Sequence, residues 1–314
     1  MEYLLILIAL AGIVFGADYL VAGAVSIARR LKVSDFVIGA AIVGVGTSMP
    51  ELVVSFIGAI KGNADVAIGN VVGSNIFNIL GILGLTALLF PIAISRENMK
   101  FELPFCIAVS LLLTLLTFNF FTGGDAIIGR VDGIILLLCF ALFMWYSLRK
   151  GRNADNEESA TTTDTTPLWR AIFKVVVGLA VLITSCDVFV DNAVLIAKSL
   201  GVSDAFTSLT LIACGTSLPE LAASMAAAIK RNTQLALGNV IGSNIFNITW
   251  ILGLSSQVMP LNSSGITLVD YVVMTIAAIL PLLFGFRGKI GRLGGAMLFI
   301  CFVIYTWFLL STQI

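Results

Sequence analysis

The stretch Gly46-Thr-Ser-Met-Pro-Glu-Leu52 decides how the fold of this chain is interpreted. It places a carboxylate, two hydroxyls and a proline in the middle of a long apolar segment. Nearly the same seven residues return as Gly215-Thr-Ser-Leu-Pro-Glu-Leu221, again between apolar residues. A carboxylate surrounded by apolar side chains is costly. Its presence at two equivalent places therefore indicates a functional role for the pair.

The composition around these two stretches is that of an integral membrane protein. Of the 314 residues, 59% are hydrophobic and 11% are charged, and the mean hydropathy is +1.05. A soluble domain carries about 25% charged residues. Apolar runs of roughly 20 residues, the length that a spanning helix needs, recur along the chain. They lack the alternation of polar and apolar residues that a membrane β-barrel requires. We therefore predict an all-α integral membrane protein.

Hydropathy predicts ten spans, numbered here in chain order. Their ranges are 3–28, 36–60, 66–91, 103–121, 132–148, 170–197, 205–229, 235–259, 267–286 and 293–312. Residues 149–169 are rich in Asp, Glu, Asn and Thr, which predicts a hydrophilic linker. With these spans, 15 of the 18 basic residues fall on the side of the linker, and Lys61, Arg130 and Lys198 fall on the other. The positive-inside rule then predicts a cytoplasmic linker and two extracellular termini in the cell membrane.

The chain repeats itself at an offset of 169 residues. Between 46–84 and 215–253, 25 of 39 positions are identical without a gap. Each predicted half holds five spans, so the second half enters the membrane inverted relative to the first. This plan, with the site near the midplane where the halves meet, is typical of secondary transporters. The predicted halves, each with its copy of the motif, are 1–148 (copy 41–84) and 170–314 (copy 210–253).

The proline predicts a break in the helix of the second span. Pro50 lacks an N–H, and its ring clashes with the carbonyl of Gly46. A kink near these residues is expected to leave carbonyls unpaired between Gly44 and Thr47. Irregular backbone at membrane depth is tolerated where it lines a cavity or is covered by protein. Thr47 and Glu51 are four residues apart, so they share one helix face, and this turn offers a carboxylate, hydroxyls and unpaired carbonyls.

The third span adds more oxygen donors in Gly69-Asn-Val-Val-Gly-Ser-Asn-Ile-Phe-Asn78, where Ser74 and Asn78 are also four apart. The second half matches these two residues with Ser243 and Asn247. If the inverted halves meet at one centre, two carboxylates converge there with hydroxyl, amide and carbonyl oxygens. Such hard donors suit sodium, calcium or magnesium. The absence of His removes the commonest transition-metal ligand.

The charge of this predicted site constrains its cargo. Two carboxylates sum to −2, which one divalent or two monovalent cations neutralise. Without a cation, two carboxylates that face each other in an apolar environment are expected to take up at least one proton. Protons are therefore expected to compete with the cation.

The motif Gly-Thr-Ser-x-Pro-Glu, followed by Gly-Asn-x-x-Gly-Ser-Asn-Ile-x-Asn and present in both halves, resembles the α-repeats of the sodium/calcium exchangers. These belong to the calcium/cation antiporter superfamily, and the short linker resembles that of its prokaryotic members. The resemblance implies broken helices at the centre, a site formed by spans 2, 3, 7 and 8, and alternating access in which spans 1 and 6 slide across the rest. It implies that the chain exchanges sodium for calcium.

The resemblance also implies two sets of ligands. The implied calcium ligands are Thr47, Glu51, Thr216 and Glu220. The implied sodium ligands are Ser48, Ser74, Ser217 and Ser243, the carbonyls of Gly44 and Ala213, the amide groups of Asn78 and Asn247, and both glutamates. The expected partners are calcium and sodium ions and the lipid bilayer; the chain is expected to be a monomer, with no cofactor and no nucleic-acid partner. Asn247 departs from the pattern, because some members carry Asp there, and potassium dependence through this position is not expected.

Three other functions compete with this one. The same fold supports proton/calcium exchange, and broken helices around an oxygen-lined centre are compatible with a passive cation channel. A membrane enzyme with Ser48 or Ser217 as its nucleophile is disfavoured, because the chain contains no His to serve as the usual base.

The remaining acids of the apolar segments are expected to have structural roles. Asp18 and Asp187 match each other in the two halves, whereas Asp191 matches Ala22. We expect these three acids to lie near the membrane interface, hydrated or hydrogen-bonded. The alternative is that they line an ion path or bind the sliding helices to the core. Asp35 and Asp204, which precede spans, are expected to cap helix N-termini.

Overall fold

A computed structural model of the chain describes residues 2–118, 126–151, 166–199, 215–262 and 265–312. Within these residues the regular secondary structure consists of helices and four two-residue strands. The helices are α1 (Glu2–Leu31), α2 (Asp35–Thr47), α3 (Met49–Ile60), α4 (Ala64–Leu89), α5 (Asn98–Phe118), α6 (Arg130–Gly151), α7 (Leu168–Ser199), α8 (Leu218–Ile229), α9 (Thr233–Val258), α10 (Leu268–Phe284) and α11 (Arg292–Thr312). The strands are β1 (Ile92–Ala93), β2 (Ile127–Ile128), β3 (Leu261–Asn262) and β4 (Lys289–Ile290).

Most of the described helices are long and apolar enough to cross a membrane. Seven satisfy this criterion alone, namely α1, α4, α5, α6, α7, α9 and α11. Helices α2 and α3 satisfy it together, as one bent span. Helices α8 and α10 are apolar but shorter, with 12 and 17 described residues. The predicted all-α membrane fold is confirmed, and the count of ten spans stays a prediction.

The helix of the first motif is broken where the proline predicts. Helix α2 ends at Thr47, α3 begins at Met49, and their axes differ by 49°. Ser48 lies between them with φ −83° and ψ 12°. Pro50 occupies the first turn of α3, where its missing N–H removes no intrahelical hydrogen bond. The break places the Glu51 carboxylate in the first turn of a new helix, within the protein.

The second motif has the same local geometry. Ser217 precedes α8 with φ −93° and ψ 7°, and Pro219 and Glu220 lie in the first turn. The first part of the predicted seventh span, including Ala213, lies outside the described residues.

Helices α4 and α9 form the centre of the molecule. In their most apolar 18-residue windows, 78% and 94% of the residues are buried, compared with 28% in α1 and 22% in α7. Helix α9 packs against α2 and α8, and α4 packs against α3, whereas α1 and α7 pack mainly against each other. A π-helical segment interrupts each central helix, at Phe77–Leu83 and at Asn247–Ile251. Such wider turns are frequent at functional sites.

Two short antiparallel strand pairs connect the predicted halves. Strand β1 of the first half pairs with β4 of the second, with Ile92 opposite Ile290. Strand β3 of the second half pairs with β2 of the first, with Leu261 opposite Ile128. The two halves are therefore joined reciprocally through backbone hydrogen bonds as well as through α4 and α9.

The predicted N-cap of the second span needs correction. The N-cap of α2 is Ser34, whose hydroxyl accepts a hydrogen bond from the Val37 N–H at 3.3 Å. Asp35 is instead the first residue of the helix, and its carboxylate accepts from Asn232 Nδ2 at 2.9 Å. Asp204 lies outside the described residues.

Two helices extend into the predicted linker 149–169. Helix α6 continues to Gly151 and α7 begins at Leu168, so the predicted linker is helical at both ends. Residues 152–165 lie outside the described part of the chain.

Candidate ion-binding site

The two predicted carboxylates lie fully buried at the centre and are connected crosswise. Ser217 Oγ of the second half donates to Glu51 Oε1 at 2.8 Å. Ser48 Oγ of the first half donates to Glu220 Oε1 at 2.8 Å. All four side chains have no exposed surface. Because each serine binds the acid of the opposite half, the two motifs meet in one buried group of polar side chains.

Two asparagines that sequence reasoning missed hold the motif turns in place. Asn70 Nδ2 donates to the Glu51 carbonyl at 3.1 Å and to Ser55 Oγ at 2.9 Å. In the other half, Asn239 Nδ2 makes the matching bonds to the Glu220 carbonyl at 3.1 Å and to Ser224 Oγ at 2.8 Å. Their repetition in the sequence, as Gly69-Asn70 and Gly238-Asn239, could have identified them as site residues.

The same asparagines contact the predicted threonine ligands. Thr47 Oγ1 donates to Asn239 Oδ1 at 3.2 Å, and Thr216 Oγ1 donates to Asn70 Oδ1 at 3.5 Å. Each threonine therefore contacts the asparagine of the opposite half. Thr47 Oγ1 also lies 3.4 Å from the Gly44 carbonyl oxygen, so its proton has two acceptors within reach. The lone pairs of a threonine hydroxyl that donates in this way are left for another partner.

The predicted free carbonyl at Gly44 is not free. It accepts hydrogen bonds from the Ser48 N–H at 3.1 Å and from Ser243 Oγ at 3.2 Å. The kink at Pro50 therefore does not remove the backbone bond of this residue, contrary to expectation, because Ser48 still has an N–H to donate. Glycine is required here, since a Cβ would lie 3.0 Å from the Asn239 carbonyl oxygen and 3.0 Å from the Ser243 nitrogen. Ser74 Oγ instead lies 3.1 Å from Ser217 Oγ and 3.5 Å from Glu51 Oε1.

The two site amides are also related by the repeat. Asn78 Nδ2 donates to Asn244 Oδ1 at 3.0 Å, and Asn247 Nδ2 donates to Asn75 Oδ1 at 3.1 Å. Both Asn78 and Asn247 are fully buried. The amide nitrogens are therefore used within the protein, and the amide oxygens are directed elsewhere.

Four buried oxygens of these residues receive no hydrogen bond from any described residue. They are Glu51 Oε2, Asn78 Oδ1, Glu220 Oε2 and Asn247 Oδ1. Buried polar atoms without a partner are rare and costly. All four are hard oxygens of the kind that bind sodium and calcium. They form two pairs related by the 169-residue offset, so the arrangement suits a cation held between the two halves.

The other intramembrane acids lie away from this group. Asp18 Oδ1 forms an ion pair with Lys230 Nζ at 2.6 Å, and the Asp18 side chain is 61% exposed. Asp187 and Asp191 are exposed on α7. These three acids therefore do not belong to the buried central group, and their roles stay a prediction.

A multi-pass helical membrane protein with a buried group of unpaired oxygens has the features of a cation transporter. The chain belongs to the family of the sodium/calcium exchanger protein, whose family model matches residues 1–149 and 170–311. This family consists of transporters, and the chain is accordingly a multi-pass membrane protein of the cation antiporter class.

Relatives of nearly the same length support this assignment. The chain is 41% identical to the "Putative antiporter CaxA" of Alkalimonas amylolytica, over 98% of each chain. It is 32% identical to the "Sodium/calcium exchanger MaX1" of Methanosarcina acetivorans, over 97% of each chain. Its structure matches that of the sodium-calcium exchanger NCX_Mj with a TM-score of 0.83 and 33% identity, over 96% of each chain.

Proposed function

We propose that this chain exchanges sodium for calcium across the cell membrane by alternating access. The observation that carries the proposal is the pair of fully buried glutamates, each with one oxygen that no described donor contacts. Two uncompensated buried charges are strongly destabilising, so the site needs cationic cargo. One calcium ion or two sodium ions supply the same compensating charge. A site that either cargo satisfies allows one to replace the other.

The proposed ligands are those that the family resemblance implies. For calcium they are Thr47, Glu51, Thr216 and Glu220. For sodium they are Gly44, Ser48, Glu51, Ser74, Asn78, Ala213, Ser217, Glu220, Ser243 and Asn247. The unpaired oxygens of both glutamates and both amides support the assignment. The Gly44 carbonyl already accepts from the Ser48 N–H and from Ser243 Oγ and lies 3.4 Å from Thr47 Oγ1, so its binding of sodium requires that Ser243 release it.

The proposed architecture is two inverted halves, 1–148 and 170–314, in a chain that transports as a monomer. The matched hydrogen bonds of Asn70 and Asn239 support the relation between the halves. Both termini are then extracellular and the linker 149–169 is cytoplasmic. Alkaline phosphatase, which is active only outside the cytoplasm, tests this orientation. It is expected to be active when fused after Ile314 and inactive when inserted after Ser159, and the reverse result contradicts the proposed orientation.

A proton/calcium antiporter of the same fold is the second candidate. Two buried carboxylates that no Lys or Arg contacts within the described residues are suited to carry protons as well as metal ions.

Calcium flux in vesicles separates these functions. The purified chain is reconstituted with calcium inside, and external sodium is applied at equal pH, or a pH step is applied without sodium, at a clamped membrane potential. Calcium release that requires external sodium supports sodium/calcium exchange. Release driven by the pH step alone supports the second candidate. Release that ignores both gradients indicates a passive channel and contradicts exchange.

A further inference from the structure

Asn75 and Asn244 form a reciprocal pair where α4 and α9 meet. Asn75 Nδ2 donates to the Asn244 carbonyl at 3.2 Å, and Asn244 Nδ2 donates to the Asn75 carbonyl at 3.0 Å. Both side chains are 1% exposed. The two residues occupy the same position in the two copies of the motif, so the contact joins the halves at equivalent points.

This contact determines which end of each amide is the nitrogen. A backbone carbonyl only accepts hydrogen bonds, so the atom that faces it must be the NH₂ group. The oxygen of each amide therefore points the other way. Asn75 Oδ1 accepts from Asn247 Nδ2 at 3.1 Å, and Asn244 Oδ1 accepts from Asn78 Nδ2 at 3.0 Å.

The orientation is passed on to the site amides by the same rule. Since an oxygen acceptor faces them, Asn78 and Asn247 must turn their NH₂ groups toward Asn244 and Asn75. Their own oxygens then point away, and these oxygens have no donor among the described residues. The Asn244 carbonyl thus fixes the direction of the Asn247 amide oxygen through Asn75. The Asn75 carbonyl fixes that of Asn78 through Asn244 in the same way.

We propose that Asn75 and Asn244 are positioning residues that hold Asn247 and Asn78 with their amide oxygens toward the transported cation. This inference rests on the proposed function of the site. An amide has nearly the same shape when it is turned over, but its NH₂ group then repels a cation that its oxygen would bind. Nothing in the two site amides themselves selects the oxygen, so the selection comes from their partners. Neither Asn75 nor Asn244 contacts the cargo.

A carboxylate provides the test, because it presents an oxygen whichever way it turns. Asn75→Ala is expected to raise the calcium concentration for half-maximal uptake by about tenfold or more, in the range found when groups that orient metal ligands are removed. The same change in an Asn247→Asp background is expected to raise it less than about threefold. Comparing the two effects as a double-mutant cycle isolates the dependence of one residue on the other.

The repeat supplies a second cycle and a control. The calcium concentration for half-maximal uptake is measured for Asn244→Ala with and without Asn78→Asp. The increase caused by Asn244→Ala is expected to be smaller in the Asn78→Asp background. Asn70→Ala is the control, because Asn70 holds the Glu51 backbone and does not contact Asn247. Its loss of affinity is expected to be the same with and without Asn247→Asp.

The outcomes separate this inference from the proposed function. If the parent chain shows no calcium exchange, the proposed function fails. If the parent exchanges calcium but Asn75→Ala and Asn244→Ala cause equal losses in both backgrounds, or no loss, the positioning role is overturned. Failure of both single variants to elute as folded protein, with no recovery in the Asp backgrounds, also overturns it in favour of a purely structural role.

Discussion

The two copies of the motif, residues 41–84 and 210–253, are similar in sequence, with 25 of 39 positions identical between 46–84 and 215–253, and their described residues make similar contacts. Ser48 and Ser217 each donate to the glutamate of the opposite half at 2.8 Å. Asn70 and Asn239 each hold the backbone of the glutamate in their own half at 3.1 Å. Identical residues in the two copies therefore make the same hydrogen bonds around Glu51 and Glu220, where each motif helix is broken.

The copies differ at the serines of the central helices. Ser74 is bound to Ser217 and lies 3.5 Å from Glu51, whereas Ser243 donates to the Gly44 carbonyl at 3.2 Å. Two serine hydroxyls consequently lie within 3.5 Å of Glu51, and one serine hydroxyl donates to Glu220, among the described residues. The difference shows that conformation, and not residue type alone, distributes the hydrogen bonds between the halves.

The largest expected effect breaks the symmetry of the two acids. Glu51→Gln and Glu220→Gln each reduce the charge of the site from −2 to −1, so the remaining carboxylate no longer balances one calcium ion or two sodium ions. Removing one charge from a buried pair costs about 2–5 kcal/mol, so sodium-dependent calcium flux in vesicles is expected to fall by about two orders of magnitude or more in each variant. Glu97→Gln, which changes a carboxylate bound to Tyr146 outside the site, is the control and should retain flux. Normal flux in either site variant contradicts a shared site.

The sequence predicts well what is determined locally. Apolar length defines the helices, and the break at Pro50 follows from one missing N–H. The paired glutamates and serines follow from the repeat once the halves are assumed to meet. In each case a few neighbouring residues, or their exact copy, contain the required information.

Contacts that depend on the packing of distant helices could not be predicted. The pairing of Asn75 with Asn244 depends on which faces of α4 and α9 meet, and the pairing of β1 with β4 rests on two residues per strand. The prediction for Gly44 was wrong because a missing N–H at Pro50 does not affect the bond that Ser48 donates. The role of Asn75 and Asn244 therefore depends on the packing of one half against the other, which the sequence does not specify.

The next prediction concerns a position at which the sequences of the two copies differ. Gly44 of the first copy corresponds to Ala213 of the second. A Cβ at Gly44 would meet the α9 backbone at 3.0 Å, so Gly44→Ala is expected to destabilise the protein by about 1–3 kcal/mol, as overpacking does. Gly46→Ala is the matched control, because its Cβ would meet only the side chain of Leu179, which can move. Thermal unfolding, monitored by size-exclusion chromatography, should show a larger decrease in unfolding temperature for Gly44→Ala than for Gly46→Ala. An equal decrease in the two variants contradicts the requirement for close approach at Gly44.

The serines allow a finer comparison of the two acids. Ser48→Ala removes the one serine hydroxyl that binds Glu220, and Ser217→Ala removes one of two serine hydroxyls near Glu51. A hydrogen bond to a charged group is worth about 1.5–3 kcal/mol, so Ser48→Ala is expected to weaken calcium affinity by about tenfold or more. Ser217→Ala is expected to have a smaller effect, since Ser74 remains to bind the carboxylate. Calcium titration of uptake in both variants decides, and a larger effect of Ser217→Ala would contradict the described asymmetry.

The smallest expected effect concerns the ion pair between α1 and the turn after α8. Asp18 binds Lys230 at 2.6 Å, and the corresponding residues of the repeat are Asp187 and Lys61. Asp187 is exposed and has no ion pair among the described residues, so the two halves differ here as they do at the serines. An exposed ion pair contributes about 0.2–1 kcal/mol, and Asp18→Asn is therefore expected to change the flux rate by no more than about fivefold. Asp187→Asn is expected to change it less, because it breaks no pair in this conformation. A double-mutant cycle of Asp18→Asn with Lys230→Gln measures the coupling, and a larger change from Asp187→Asn than from Asp18→Asn would mean that the conformation with the opposite pairing limits transport.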